Sequence, residues 1–309
     1  MAKKIRLFTG STGLNTQEDP ARIQYNTKTG VQELAACENI DISDDGRISR
    51  RKGFTQQVDL SGCHSLFCEG RDCLFVHGDA LCVLNKDYSY TAIRNVTPNA
   101  RLRCRQVDDI VYYCNGFERG YVFEGTSYGW NMPTYYGPVT TKAFTDPPIG
   151  TDLEYYAGRM FVVQGKIVPY SELFDISTFE RKSYLPFDRE VVMFKAVKDG
   201  IYVSTDKETL FLSGNDAKAL DITKIADYPA IKWTEVKIIG RLIFTKDGNA
   251  MILDKGGSAC LLWLSKEGVC FGGPGGEFVN LTEHKVDLPT ALTGCGFMYD
   301  HRYIGIMDP

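Results

Sequence analysis

The sequence predicts an all-β fold: a single β-propeller of six blades, with seven as the alternative, its ring closed by N- and C-terminal strands that share a blade. Three observations lead there. Short apolar strands alternate with Gly, Asp, Arg and Lys turns from about residue 60 onward. A strand-turn-strand unit recurs along the chain. Each end of the chain carries half a blade.

The unit reads Ser65-Leu66-Phe67-Cys68, a turn, Cys73-Leu74-Phe75-Val76, then Ala80 to Leu84. It returns as Arg103 to Val107 with Ile110 to Tyr113, as Leu153 to Tyr156 with Met160 to Val163, and as Val192 to Ala196 with Ile201 to Ser204. A later copy is Leu261 to Leu264 with Val269 to Phe271, whose turn Lys266-Glu267-Gly268-Val269 parallels Lys198-Asp199-Gly200-Ile201. Second strands therefore begin near residues 73, 110, 160, 201, 269 and 303, mostly roughly 34 to 50 residues apart, the length of a propeller blade. The long interval from 201 to 269 holds one more candidate pair, Val236 to Ile239 and Leu242 to Thr245, hence the alternative of seven. A weak helical periodicity is confined to Asp216 to Ala226.

A propeller ring left open exposes two sheet edges. The C-terminal pair, Gly296 to Tyr299 and Tyr303 to Ile306, supplies two strands. The hairpin Glu38 to Ile42 and Arg47 to Arg50 supplies two more, so the ends are expected to complete one blade.

Residues 1–32 fit no strand repeat and read as an extended N-terminal arm ahead of a propeller spanning 33–309. The arm carries Leu7, Phe8, Leu14, Ile23 and Tyr25, apolar anchors suited to lying on a neighbouring subunit, although a plain disordered tail fits the same polar, turn-rich composition. An excursion at 128–150 holds Trp130, Tyr135, Tyr136 and four prolines, and a long aromatic loop of this kind reads as a contact surface. These eight side chains are the candidate subunit contacts.

Composition narrows the function. With 35 Lys and Arg against 39 Asp and Glu, the net charge is -4, which argues against a surface built to grip DNA phosphates, while a channel that lets DNA pass stays compatible. There is no apolar run of membrane-spanning length and no pattern resembling a secretory leader, so folding and assembly in a cytoplasm are expected, without membrane anchoring. The ten cysteines include no Cys-x-x-Cys pair, which disfavours zinc, and most are expected to be thiols packed as small apolar residues.

Motifs for chemistry are weak. Asp41-x-Ser43-x-Asp45-Gly46 resembles the start of a calcium loop, but Lys52 stands where the bidentate Glu belongs, so a hairpin turn is the better reading. Gly272-Gly273-Pro274-Gly275-Gly276 lacks a phosphate-binding lysine. No catalytic residue, cofactor or metal site is assigned. A glycoside-hydrolase or carbohydrate-binding propeller is the alternative, since such enzymes place carboxylates on inner strands.

One signature points to a family. Gly13-Leu14-Asn15, Asp19-Pro20, Glu38-Asn39-Ile40-Asp41-Ile42, Asp45-Gly46-Arg47-Ile48 and Arg50-Arg51-Lys52-Gly53-Phe54 resemble the opening of bacteriophage virion propeller proteins. Leu264 to Cys270 and Gly276 to Glu283 look similar to their closing blades. The chain departs at Lys52, where the usual pattern has proline. The resemblance implies a tail nozzle, hub or neck protein of a short-tailed phage. It also implies a homo-oligomeric, hexameric ring around the DNA passage, in contact with other tail or portal-adaptor proteins, with DNA passing without sequence-specific binding.

Overall fold

The computed structural model describes residues 10–23, 32–43, 46–69, 71–134, 142–239, 243–244, 250–251, 258–299 and 302–308. Among the described residues the chain is an all-β propeller arrangement of five blades, and its ring is not closed. Blade 1 is Cys63–Phe67, Cys73–His77, Ala80–Leu84 and Tyr90–Asn95. Blade 2 is Arg103–Val107, Ile110–Cys114, Arg119–Phe123 and Thr126–Gly129. Blade 3 is Asp152–Tyr156, Arg159–Val163, Ile167–Glu172 and Asp175–Pro186, with Phe144–Thr145 added at its outer edge by the excursion after blade 2. Blade 4 is Val191–Ala196, Gly200–Thr205, Thr209–Ser213 and Asp221–Ala226. Blade 5 is Val236–Ile239, Ala259–Ser265, Gly268–Gly272 and Phe278–Asn280.

The second strands are nearly continuous apolar runs because both their faces are covered. In blade 2, Val111 and Tyr113 pack in one cluster with Leu74, Val76 and Leu81 of blade 1. Their neighbours Tyr112 and Cys114 pack with Leu153, Met160 and Val162 of blade 3. In blade 4, Ile201 and Val203 face Phe161 and Val168 of blade 3, while Tyr202 faces Leu261 and Trp263 of blade 5. The two-residue period of a strand sends alternate side chains to opposite neighbours. The core therefore lies between consecutive blades, where each fully buried aromatic or aliphatic side chain contributes roughly 1.5–3 kcal/mol.

The blade count corrects the expectation of six or seven, and the reason lies in blade 5. Lys198-Asp199-Gly200 turns from a first to a second strand, whereas Lys266-Glu267-Gly268 turns from a second to a third. The like turns sit at unlike places. Val236–Ile239 is the first strand of blade 5 and pairs directly with Ala259–Ser265. The candidate strand after it becomes part of a separate two-stranded ladder, Ile243–Phe244 with Ala250–Met251, inserted within the blade. The weak helical stretch ends as the strand Asp221–Ala226.

Closure by a shared blade is corrected too. The hairpins Ile40–Ile42/Ile48–Arg50 and Thr293–Tyr299/Arg302–Asp308 form, but each is a two-stranded sheet, with no ladder between them among the described residues. They meet through side chains: Arg302 lies 2.6 Å from Asp41, and the Phe54 and Tyr299 rings stand edge to face at 5.8 Å. The C-terminal hairpin instead lies flat on blade 5. A methyl at Gly296 would run into the Thr234 carbonyl, so only glycine allows the approach there, and one at Gly305 would meet the Leu264 side chain at 2.6 Å. The Tyr303 hydroxyl donates to the Thr234 carbonyl at 2.6 Å.

Part of the N-terminal arm is folded onto its own chain. Ser11–Leu14 pairs in parallel with Gln32–Leu34, and the Thr16 amide donates to the Lys285 carbonyl at 2.7 Å. Cys68 and Cys73 are joined by a disulfide across their turn, an exception in a set of cysteines most of which are expected to be thiols. Among the remaining cysteines, Cys82, Cys114, Cys260 and Cys270 are buried as expected.

Candidate functional site

The first strands of blades 2, 3, 4 and 5 converge, and their charged side chains meet. Alternation puts Arg103 and Arg105 on one face of their strand, Asp152 and Glu154 on one face of theirs, and Glu235 and Lys237 on one face of the chain entering blade 5. Lys195 comes from blade 4.

These groups form two layers. In the inner layer Arg103 Nε lies 3.2 Å from Asp152 Oδ1, and its guanidinium also pairs with Glu235. Lys195 Nζ donates to Asp152 Oδ1 at 2.8 Å and sits 3.9 Å from Glu235. Two cations balance two carboxylates. In the outer layer Glu154 alone serves two cations, Lys237 at 2.9 Å and Arg105 at 3.0 Å.

Burial makes these pairs consequential, since a charge removed from water must find a partner. Burial pushes the Asp152 carboxyl up, but Lys195 and Arg103 outweigh it and hold the group below its ordinary value. Burial likewise opposes ionisation of Glu154, and Lys237 and Arg105 reverse the sign and keep it low. For Lys237 burial wins: its ammonium is pushed below its ordinary value, with Glu154 offsetting only part of the cost. Burial pushes the Cys104 and Cys270 thiols up to about 12, which leaves them protonated and poorly nucleophilic.

The outer layer opens into a cavity of about 560 Å³ lined by Arg105, Lys237, Tyr155, Tyr156, Lys198 and Phe174, among others. The hydroxyl of Tyr156 donates to the Gly214 carbonyl at 2.8 Å. Phe174 stands at the tip between the third and fourth strands of blade 3, 80% exposed, with its amide donating to the Gly158 carbonyl at 2.7 Å. Among the described residues no group of His, Cys, Asp and Glu has the arrangement of a metal site.

The candidate contact residues fare differently. Leu14 is half-buried on the strand paired with Gln32–Leu34. Ile23 is half-buried, and its carbonyl accepts from Gln32 Nε2 at 3.4 Å. Trp130 is seated inward: it is 1% exposed, packed against Tyr112 and Phe179, and its indole N–H donates to Ser177 Oγ at 3.2 Å. Its loop turns it into the cluster between blades 2 and 3. Leu7, Phe8, Tyr25, Tyr135 and Tyr136 lie outside the described residues.

The charged network escaped the sequence reading, although its signal was present. Arg103-x-Arg105, Asp152-x-Glu154 and Glu235-x-Lys237 are charges at alternate positions at or beside strands otherwise bound for burial.

No protein-family profile matches the chain, and no curated protein sequence matches it. Solved structures do resemble it. The N-terminal piece of BBS1 in complex with ARL6 shares 8% identity, with 87% of this chain and 83% of that one covered and a TM-score of 0.49. The N-terminal domain of Nup159 shares 7%, with 83% and 76% covered and a TM-score of 0.48. The extracellular domain of the hybrid two component system BT4673 from B. thetaiotaomicron shares 13%, with 75% of this chain covered and a TM-score of 0.42. The chain spans only 29% of that protein's length. At these identities and scores none of them bears on what this chain does.

Proposed function

We propose that the chain is a non-enzymatic scaffold, a propeller that joins neighbouring subunits in a bacteriophage tail as part of a nozzle, hub or neck ring. The phage assignment, the virion location and the six-fold ring follow from the sequence resemblance. The scaffold role draws its main support from the seam where blade 1 and blade 5 fail to join.

Exposed apolar side chains lie on the C-terminal hairpin and on the segments beside it and in blade 1, and Phe54 and Tyr299 are in contact. Leu292 is 85% exposed, and Phe297, Met298, Tyr299 and Ile306 on the C-terminal hairpin are all exposed. Phe54 on the adjoining N-terminal segment and Leu66 on blade 1 add 67% and 68% exposed side chains. Apart from the bridge between Thr293 and Lys232, the edges of this hairpin pair with no other strand among the described residues, and an unpaired edge is a ready template for another chain. A neighbouring copy laid against this seam would cover both the edge and the apolar side chains. Like contacts between copies that use two different faces close into a ring where the rotation between copies closes, and otherwise extend as a filament.

The test is the size of the purified full-length protein in light scattering, at tens of micromolar, beside a Tyr299→Asp, Ile306→Asp double variant. The expected result is a ring-sized particle that falls to monomer in the variant with unchanged far-ultraviolet circular dichroism. A wild-type monomer throughout that range, or a variant that assembles normally, would overturn the scaffold reading.

A further inference from the structure

The cavity above the outer ion-pair layer has a one-signed lining. Its charged side chains among the described residues are Arg105, Lys237 and Lys198, all cations. Glu154 lies beneath them with its side chain 1% exposed, shared between Arg105 and Lys237. Asp199, next to Lys198, is not part of the lining and accepts from the Gly275 amide at 2.9 Å, although its charge is felt at the Tyr156 hydroxyl. The inner layer is balanced and lends no spare negative charge.

An ion-paired pair of cations on one carboxylate leaves a positive excess in a partly dry site, and an incoming anion relieves it. Two details strengthen the case. Arg105 Nε is buried and, although close to Glu154, has no well-directed hydrogen bond. Phe174 is held at the cavity mouth with a positive φ of 56°, an unfavourable backbone state for a bulky residue, while its ring remains almost fully exposed. Phe174 takes this state in the turn between Glu172 and Asp175, where its ring lies over Gly158 and its outer face is free to cover the apolar body of a ligand.

We propose that this cavity binds a small organic anion: a phosphate or carboxylate group set against Arg105 and Lys237, with Lys198 at the rim, and an attached ring or apolar body resting on Phe174. This site goes beyond the scaffold role and is independent of it, because the seam lies among different residues.

Isothermal titration of the full-length protein at low ionic strength tests it, with phenyl phosphate, benzoate, inorganic phosphate and benzylamine as probes. Phenyl phosphate or benzoate is expected to bind, and which is tighter tells phosphate from carboxylate. Inorganic phosphate should bind several-fold more weakly than phenyl phosphate, and cationic benzylamine should not bind. Lys237→Met should weaken the tighter anion at least tenfold. Phe174→Ala and Lys198→Ala alter exposed side chains and keep the fold. The first should erase the advantage of phenyl phosphate over inorganic phosphate, and the second should weaken both anions several-fold. Absence of anion binding at millimolar concentration, equal binding of benzylamine, or affinities unmoved by Phe174→Ala and Lys198→Ala would each overturn the proposal.

Discussion

Glu154 Oε1 and Lys237 Nζ lie 2.9 Å apart although 83 residues separate them, and this contact ties the first strand of blade 3 to the first strand of blade 5 across the centre of the propeller. The same carboxylate holds Arg105 of blade 2, so one side chain staples three blades.

Glu154→Gln should therefore be costly. The amide keeps the shape but leaves two partly buried cations sharing no negative charge, and breaking a buried pair in this way costs on the order of 3 kcal/mol. Urea denaturation would show a lower midpoint with an unchanged slope. A midpoint within error of wild type would mean that solvent already screens the pair.

The acid limb of stability should report the same network. Asp152 and Glu154 both have folded values below their ordinary ones, so the stability they contribute is complete above about pH 5 and drains away as pH falls through the depressed values. Denaturation midpoints should be nearly flat from neutral pH down to about 5 and fall steeply below about 4. In Asp152→Asn that fall should be shallower, from a lower plateau. A variant with the wild-type slope would remove Asp152 from the account.

Gly296→Val tests how the C-terminal hairpin is seated. The added side chain meets the Thr234 carbonyl, and overpacking of this kind costs roughly 1–3 kcal/mol. The loss should be local, because the five blades have their own interfaces. Amide hydrogen exchange of residues 293–308 should accelerate while the second strands of blades 2 and 4 stay protected. Uniform acceleration across the molecule would show that the hairpin is part of the global folding unit.

Trp130→Ala separates packing from assembly. Its burial against Tyr112 and Phe179 predicts a loss of about 3–5 kcal/mol in unfolding free energy. At temperatures where the variant is folded, its particle size should equal that of wild type. A specific loss of association would restore the indole as a contact residue.

The strands themselves were legible in the sequence. The strands expected to begin near 73, 110, 160, 201, 269 and 303 all form; those near 73, 110, 160 and 201 are second strands covered on both faces, which need an uninterrupted apolar run between polar turns. What failed was assignment of strand order where two turns looked alike. Lys198-Asp199-Gly200 and Lys266-Glu267-Gly268 satisfy the same local turn chemistry, and local chemistry carries no record of which strand pair a turn joins.

The all-β character and the recurrence of its units were thus determined by the sequence alone, because period and turn residues act over a few positions. The number of blades, the open seam, the inward seating of Trp130 and the charged centre were decided only by tertiary structure. Each depends on partners far apart along the chain: Val236–Ile239 on Ala259–Ser265, Gly296 on Thr234, Trp130 on Phe179, and Glu154 on Lys237. Burial and ion pairing are properties of the assembled blades, and a single strand, however regular, holds no information about which charge will face it across the axis.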